Sequence, residues 1–84
     1  MDSAKAITEM PNAAMLAFQS EMDRRNVALD EYEILLFETE DQYIVVTQYK
    51  RKPPRLRGSV EGFPDCEVRI SRETHSVVKV TFAR

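Results

Sequence analysis

Two side chains in this 84-residue chain are of the kind that could do nucleophilic chemistry together: its one cysteine, Cys66, and its one histidine, His75. An imidazole activates a thiol only within hydrogen-bond reach of it. Cys66 begins the first of two alternating segments and His75 lies in the turn that joins them. A hairpin would hold them apart by on the order of nine residues at about 3.3 Å each. The plainer reading makes Cys66 a small apolar core side chain and His75 a turn residue with, at most, a pH-sensitive surface contact. One cysteine also excludes an internal disulfide framework, and a single cysteine with a single histidine leaves no metal-ligand spacing. No cofactor is expected.

Carboxylates are the second source of chemistry. Glu31, Glu33, Glu38, Glu40 and Asp41 fall close together, but Glu38, Glu40 and Asp41 crowd a turn where water screens them. Nothing nearby supplies the apolar enclosure that raises a carboxyl pKa for acid catalysis. The chain is therefore not expected to be an enzyme. The third source is KRKPPRLR, which places Lys50, Arg51, Lys52, Arg55 and Arg57 in eight residues held extended by two prolines. Such a stretch suits phosphate. No aromatic is interleaved to stack on bases, however, so nucleic acid or phosphate is the alternative partner rather than the first.

These groups must be positioned by one small core. A chain this short buries only roughly 60 to 65% of its unfolded surface. Composition is 43% hydrophobic and 31% charged, which is ordinary for a folded domain and argues against disorder. The net charge of −2 conceals an asymmetry: residues 1–49 carry ten acids and three bases, residues 50–84 nine bases and four acids. Neither a signal-peptide run nor 18 consecutive apolar residues is present. A cytoplasmic location and no membrane contact are the expectation.

Residues 11–26 have helical periodicity, with Pro11, Ala14, Met15, Phe18 and Met22 on one face, Ile7 in phase and Leu16 pointing away. Residues 1–10 are left as an arm or a short separate turn. Residues 30–38 and 42–50 form a hairpin about Glu40 and Asp41, pairing Phe37 with Ile44, Leu35 with Val46, Leu36 with Val45 and Tyr32 with Tyr49. Residues 65–72 and 76–82 form a second hairpin. A three-residue loop at Glu73, Thr74 and His75, with His75 left-handed, pairs Cys66 with Phe82, Val68 with Val80 and Ile70 with Val78. Glu67, Arg69, Lys79 and Thr81 then face water. Residues 51–64 are a long connection. The expected fold is α+β: one N-terminal helix packed on a four-stranded antiparallel sheet, an α-β-β-β-β meander spanning residues 1–84 as one domain.

The order helix, strand, strand, long loop, strand, turn, strand, together with FPDCEVRISRETHSVVKVTF, resembles the small cystatin-like domains of bacteria, including PepSY-type domains. His75 stands where the family usually has glycine. The resemblance implies a cystatin-like fold and a non-enzymatic module that binds or inhibits other proteins. ETEDQ at the first hairpin tip replaces the QVVAG segment of cystatins that inhibit cysteine proteases, so that activity is not implied.

The first hairpin is apolar on both sides. One of its two faces, either Leu35, Phe37, Ile44 and Val46 or Tyr32, Ile34, Leu36, Val45 and Tyr49, needs other cover, from the N-terminal arm through Ala4, Ile7 and Met10 or from a second chain. The resemblance implies that Tyr32, Ile34 and Leu36 turn inward, which nominates the first set. A homodimer is the simplest occupant. The expected partner-binding residues are Leu35, Phe37, Ile44 and Val46, joined by Arg55, Leu56, Arg57 and Phe63 of the connection.

Overall fold

The computed structural model describes residues 4–50 and 65–82. Along the chain come β1 (Lys5–Ile7), α1 (Asn12–Arg24), a 3-10 turn (Leu29–Glu31), β2 (Tyr32–Glu38), β3 (Gln42–Tyr49), β4 (Cys66–Ser71) and β5 (Val77–Phe82). The sheet is antiparallel throughout, in the order β1-β2-β3-β4-β5. The α+β class and the helix-before-meander order are as expected. The strand count is corrected from four to five, because the presumed arm supplies an edge strand whose Ala6 pairs with Phe37 and Ile7 with Leu36.

Pro11 caps α1 with φ −54° and ψ 145°, so its ring suits the extended turn into the helix, and its carbonyl accepts the first helical bond from the Met15 N–H at 3.0 Å. The helix stops at Arg24 because Asn26 turns left-handed, with φ 58°. The Asn26 N–H then donates to the Asp23 carbonyl at 3.1 Å and the Val27 N–H to the Met22 carbonyl at 3.0 Å. This paired closure satisfies carbonyls that the last turn would leave open.

α1 crosses β4 and β5 on one face of the sheet. Ala14, Phe18 and Met22, with Met10 before them, pack there against Tyr43, Val45, Cys66, Val68 and Ile70, and Leu36, Val80 and Phe82 close the margins. Ile34 shares this inner side through its register partner Thr47 but stays 37% exposed. Leu16 points to solvent as expected.

The first hairpin has the expected register, from Tyr32 opposite Tyr49 to Glu38 opposite Tyr43. Neither Glu40 nor Asp41 has a positive φ. Instead the Thr39 hydroxyl accepts the N–H groups of Asp41 at 3.3 Å and Gln42 at 3.1 Å, a side-chain substitute for a tighter backbone turn. The second hairpin departs from expectation at its tip. The Ser71 N–H donates to the Ser76 carbonyl at 2.9 Å and the His75 N–H to the Ser71 carbonyl at 2.8 Å, which closes a loop one residue longer than expected. His75 is left-handed as anticipated, at φ 59°. The longer loop would turn every later side chain to the wrong face. A β-bulge between Arg69 and Ile70 absorbs the slip: Ile70 pairs with Val77 rather than Val78, while Val68–Val80 and Cys66–Phe82 are as expected. Val77 therefore packs on the core and Val78 is 57% exposed.

At the far end of α1, Glu21 is buried beside two guanidinium groups, bonding Arg24 and accepting from the Arg25 Nε at 2.9 Å. Arg25 also lies 5.5 Å over the Phe82 ring, tying the helix to β5. The hydrogen bonds from Arg24 and then Arg25 hold the Glu21 carboxyl below its ordinary value of 4.5. A carboxyl held low in the folded state contributes stability above that value and loses it as the pH falls through the lowered one. Arg24 is largely exposed, so the contribution at neutral pH is about 1 kcal/mol. Urea titration of Glu21→Gln should show that deficit at pH 7 and a closing gap to the wild type in strong acid. A gap that widens on acidification would refute the assignment. The bulge is tested in the same way: Val77→Thr should lose about 1–2 kcal/mol and Val78→Thr stay within about 0.5 kcal/mol of wild type. A reversed ranking would put Val78 in the core.

Candidate functional site: the outer face of the sheet

Alternation along each strand sends every second side chain to the face that α1 leaves bare. On β2 and β3 those residues are Leu35, Phe37, Ile44 and Val46, with Leu35 opposite Val46 and Phe37 opposite Ile44. The structure thus brings together the four first-hairpin residues nominated for partner binding. Leu35 is 40% exposed and Phe37 and Val46 are half-buried, whereas Ile44, at 5%, sits at the floor of the patch. Of the arm, Ile7 and Met10 pack on the inner, helix-covered side, whereas Ala6 stands opposite Phe37 and Ala4 lines a cavity with Ile44 and Arg69, so the arm borders the patch at its Phe37–Ile44 end. Arg55, Leu56, Arg57 and Phe63, together with Arg51 and Lys52, lie outside the described residues. Lys50 is described, and its Nζ donates to the Asp30 carbonyl at 3.0 Å.

Beside the apolar residues β4 sets two charges. Ile44 is in register with Arg69 and Val46 with Glu67. The Arg69 Nε donates to Glu67 Oε2 at 3.0 Å and its Nη1 to Gln42 Oε1 at 3.1 Å, so the guanidinium lies along the face rather than extending into water. Lys79 and Thr81 of β5 continue the polar side. Glu67 and Arg69 were legible as outward residues of the second hairpin. That they border the apolar patch follows only from the β3–β4 register across the long connection, which no local pattern announces.

The other chemical groups fall elsewhere. β4 alone separates Cys66 from the His75 loop by on the order of 16 Å, fewer residues than nine because the loop folds back. Cys66 is buried on the inner face, and burial foremost pushes its thiol up to about 11, against a smaller opposing pull from Arg25. His75 is half-buried with its ring 6.4 Å from that of Tyr43. The acidic turn is engaged by Arg72, whose N–H donates to the Asp41 carbonyl at 2.9 Å and whose Nη1 donates to the Thr39 carbonyl at 2.7 Å, with Glu38 at 4.0 Å. Arg72 also lies 5.4 Å over the Tyr43 ring. It pins the two hairpin tips together. Among the described residues no cluster of three or more His, Cys, Asp or Glu side chains could hold a metal, and no helix is long and apolar enough to cross a membrane.

In comparisons with known proteins, no family model matched the chain, no curated protein matched it and no solved structure matched it. The functional reading accordingly rests on the geometry of this face.

A thiol titrating near 11 is only about one-thousandth thiolate at pH 8. Cys66 should therefore resist a disulfide reagent at pH 8 in the native protein and react fully in urea. Rapid native labelling would contradict both its burial and its place in the core.

Proposed function

We propose that the protein is a non-enzymatic protein-binding or inhibitory module of cystatin-like fold that self-associates through the outer face of its first hairpin. The observation that carries this reading is the patch of Leu35, Phe37, Ile44 and Val46, four large apolar side chains grouped on a sheet face that α1 does not cover. Leu35 is 40% exposed and Phe37 and Val46 are half-buried around the buried Ile44, and apolar surface grouped on a face away from the helix marks contacts. The helix-then-meander order supports the likeness to cystatin-like modules, which act by contact rather than by chemistry. The inert placement of Cys66 and the separation of His75 from it agree with a protein that binds.

The test is solution mass by light scattering over a hundredfold dilution, for the wild type and for Leu35→Glu combined with Val46→Lys. The expected result is a wild-type dimer that the double change converts to a monomer with unaltered circular dichroism. The two substitutions sit opposite each other and pair in the monomer. A double variant that dimerises like the wild type would remove this face from the proposal.

A further inference from the structure

Two central rows of the outer face run across the strands, between the Glu33–Gln48 pair on one side and the Gln42–Ser71 pair on the other. Leu35, Val46, Glu67 and Thr81 are register partners in one row. Ala6, Phe37, Ile44, Arg69 and Lys79 are register partners in the other. Both rows are apolar on β2 and β3 and polar on β4 and β5, and they carry opposite charge on β4. We infer that the occupant of this face is a second copy of the chain, related by a two-fold axis that runs perpendicular to the strands, between the two rows. This inference rests on the self-association proposed above and specifies its geometry.

A two-fold axis of that direction lays each row on the other row of the second copy. Leu35 meets the second copy's Phe37, Val46 meets its Ile44, and Glu67 meets its Arg69. Every one of these contacts occurs twice, as an isologous interface requires. The intrachain Glu67–Arg69 pair, at 3.0 Å, joins its symmetry mate in a ring of four alternating charges at the edge of the apolar contact. Both side chains are more than a third exposed in the single chain, so as an isolated pair they contribute little. Face-to-face sheets pack with their strands about 30° apart. β4 is one strand spacing, about 4.8 Å, from β3, so this rotation displaces the charged pairs by only a few Å, within the reach of Glu and Arg.

The competing two-fold axis, parallel to β3, lays β4 of one copy over β2 of the other. It would place Glu67 on the second copy's Leu35 and Arg69 on its Phe37, desolvating four charges without counter-charges from the partner. Of these two axes, charge complementarity selects the perpendicular one.

The test uses two variants that each carry one sign on both rows. Glu67→Arg leaves Arg at positions 67 and 69, and Arg69→Glu leaves Glu at both. Under the perpendicular axis each variant alone opposes like charges, and should run at the 9.7 kDa chain mass at concentrations where the wild type is dimeric. An equimolar mixture should return to twice that mass, with a heterodimer at least tenfold tighter than either homodimer. The intrachain bridge is absent from both variants, so its loss cannot account for rescue on mixing. If either variant fails to fold by circular dichroism, Glu67→Lys and Arg69→Asp repeat the experiment. A mixture that stays monomeric, or single variants that dimerise like the wild type, overturns the perpendicular axis, while self-association survives if Leu35→Glu with Val46→Lys still disrupts the wild-type dimer. A wild type that is monomeric at every concentration overturns both.

Discussion

A sheet has two faces, and the one α-helix among the described residues packs on one of them, chiefly against β4 and β5. The rest of the structure follows from how that shortage of cover is met. Phe18 and Met22 fill the space between α1 and the sheet completely, with no exposure left. Thr47, also fully buried on that face, keeps its hydroxyl satisfied by donating to the Cys66 carbonyl at 3.4 Å. At the margin, Tyr32 and Tyr49 meet edge to face at 6.1 Å and close the inner side beyond the reach of the helix. Nothing comparable lies over Leu35 and Val46 among the described residues. The core is thus carried mainly by the inner face, which leaves Leu35, Phe37 and Val46 of the outer face available to the contact proposed above.

Parity is the other constraint, and it explains what could be read in advance. In a strand the side-chain period is two, so hydrophobic alternation specifies register only if the turn contributes the right number of residues. At the first hairpin both signals agreed, and the whole register from Tyr32–Tyr49 to Glu38–Tyr43 was legible. The second hairpin offered an alternative that alternation cannot distinguish. Val77 and Val78 are the same residue type in adjacent positions, so a loop one residue longer followed by a bulge preserves Val80 and Phe82 on the core and merely exchanges which valine packs there. β1 was illegible for a different reason. Three residues, only one of them β-branched, carry no strand signal of their own, and Ile7 is also in phase with the helix that follows. Its strand character comes from β2, whose free side it pairs.

The candidate site divides along the same lines. That one face of the first hairpin would lack cover was legible because a hairpin apolar on both faces cannot bury both with one helix, but the pattern alone does not say which. The resemblance points to Leu35, Phe37, Ile44 and Val46, and the register sets those four together on the face away from α1. The separation of Cys66 from His75 could be read from their positions in the hairpin, since a turn and the opposite end of a strand cannot converge. Glu67 and Arg69 could not be identified as neighbours of the patch, because β3 and β4 are joined by a connection too long for its geometry to set a register.

Association through a face rather than an edge agrees with how the sheet ends. β1 is three residues long and the chain leaves it toward Pro11, so it presents little ladder to an incoming strand. β5 is longer, but the bulge at Val77 and Val78 bends its beginning and Lys79 stands at its centre, two devices that disfavour edge-to-edge pairing. The outer face carries no such protection. In the two rows through Leu35 and Phe37 the charges lie on β4 and β5, and those of β4 alternate in sign from one row to the next, leaving the row residues of β2 and β3 apolar, with Glu33 of β2 outside the two rows. Edges that resist pairing beside a face whose pattern is complementary to itself would direct the proposed association to one geometry, and would limit it to two copies. A two-fold contact between faces closes on itself, whereas strand addition at an edge would leave a new edge open for the next chain.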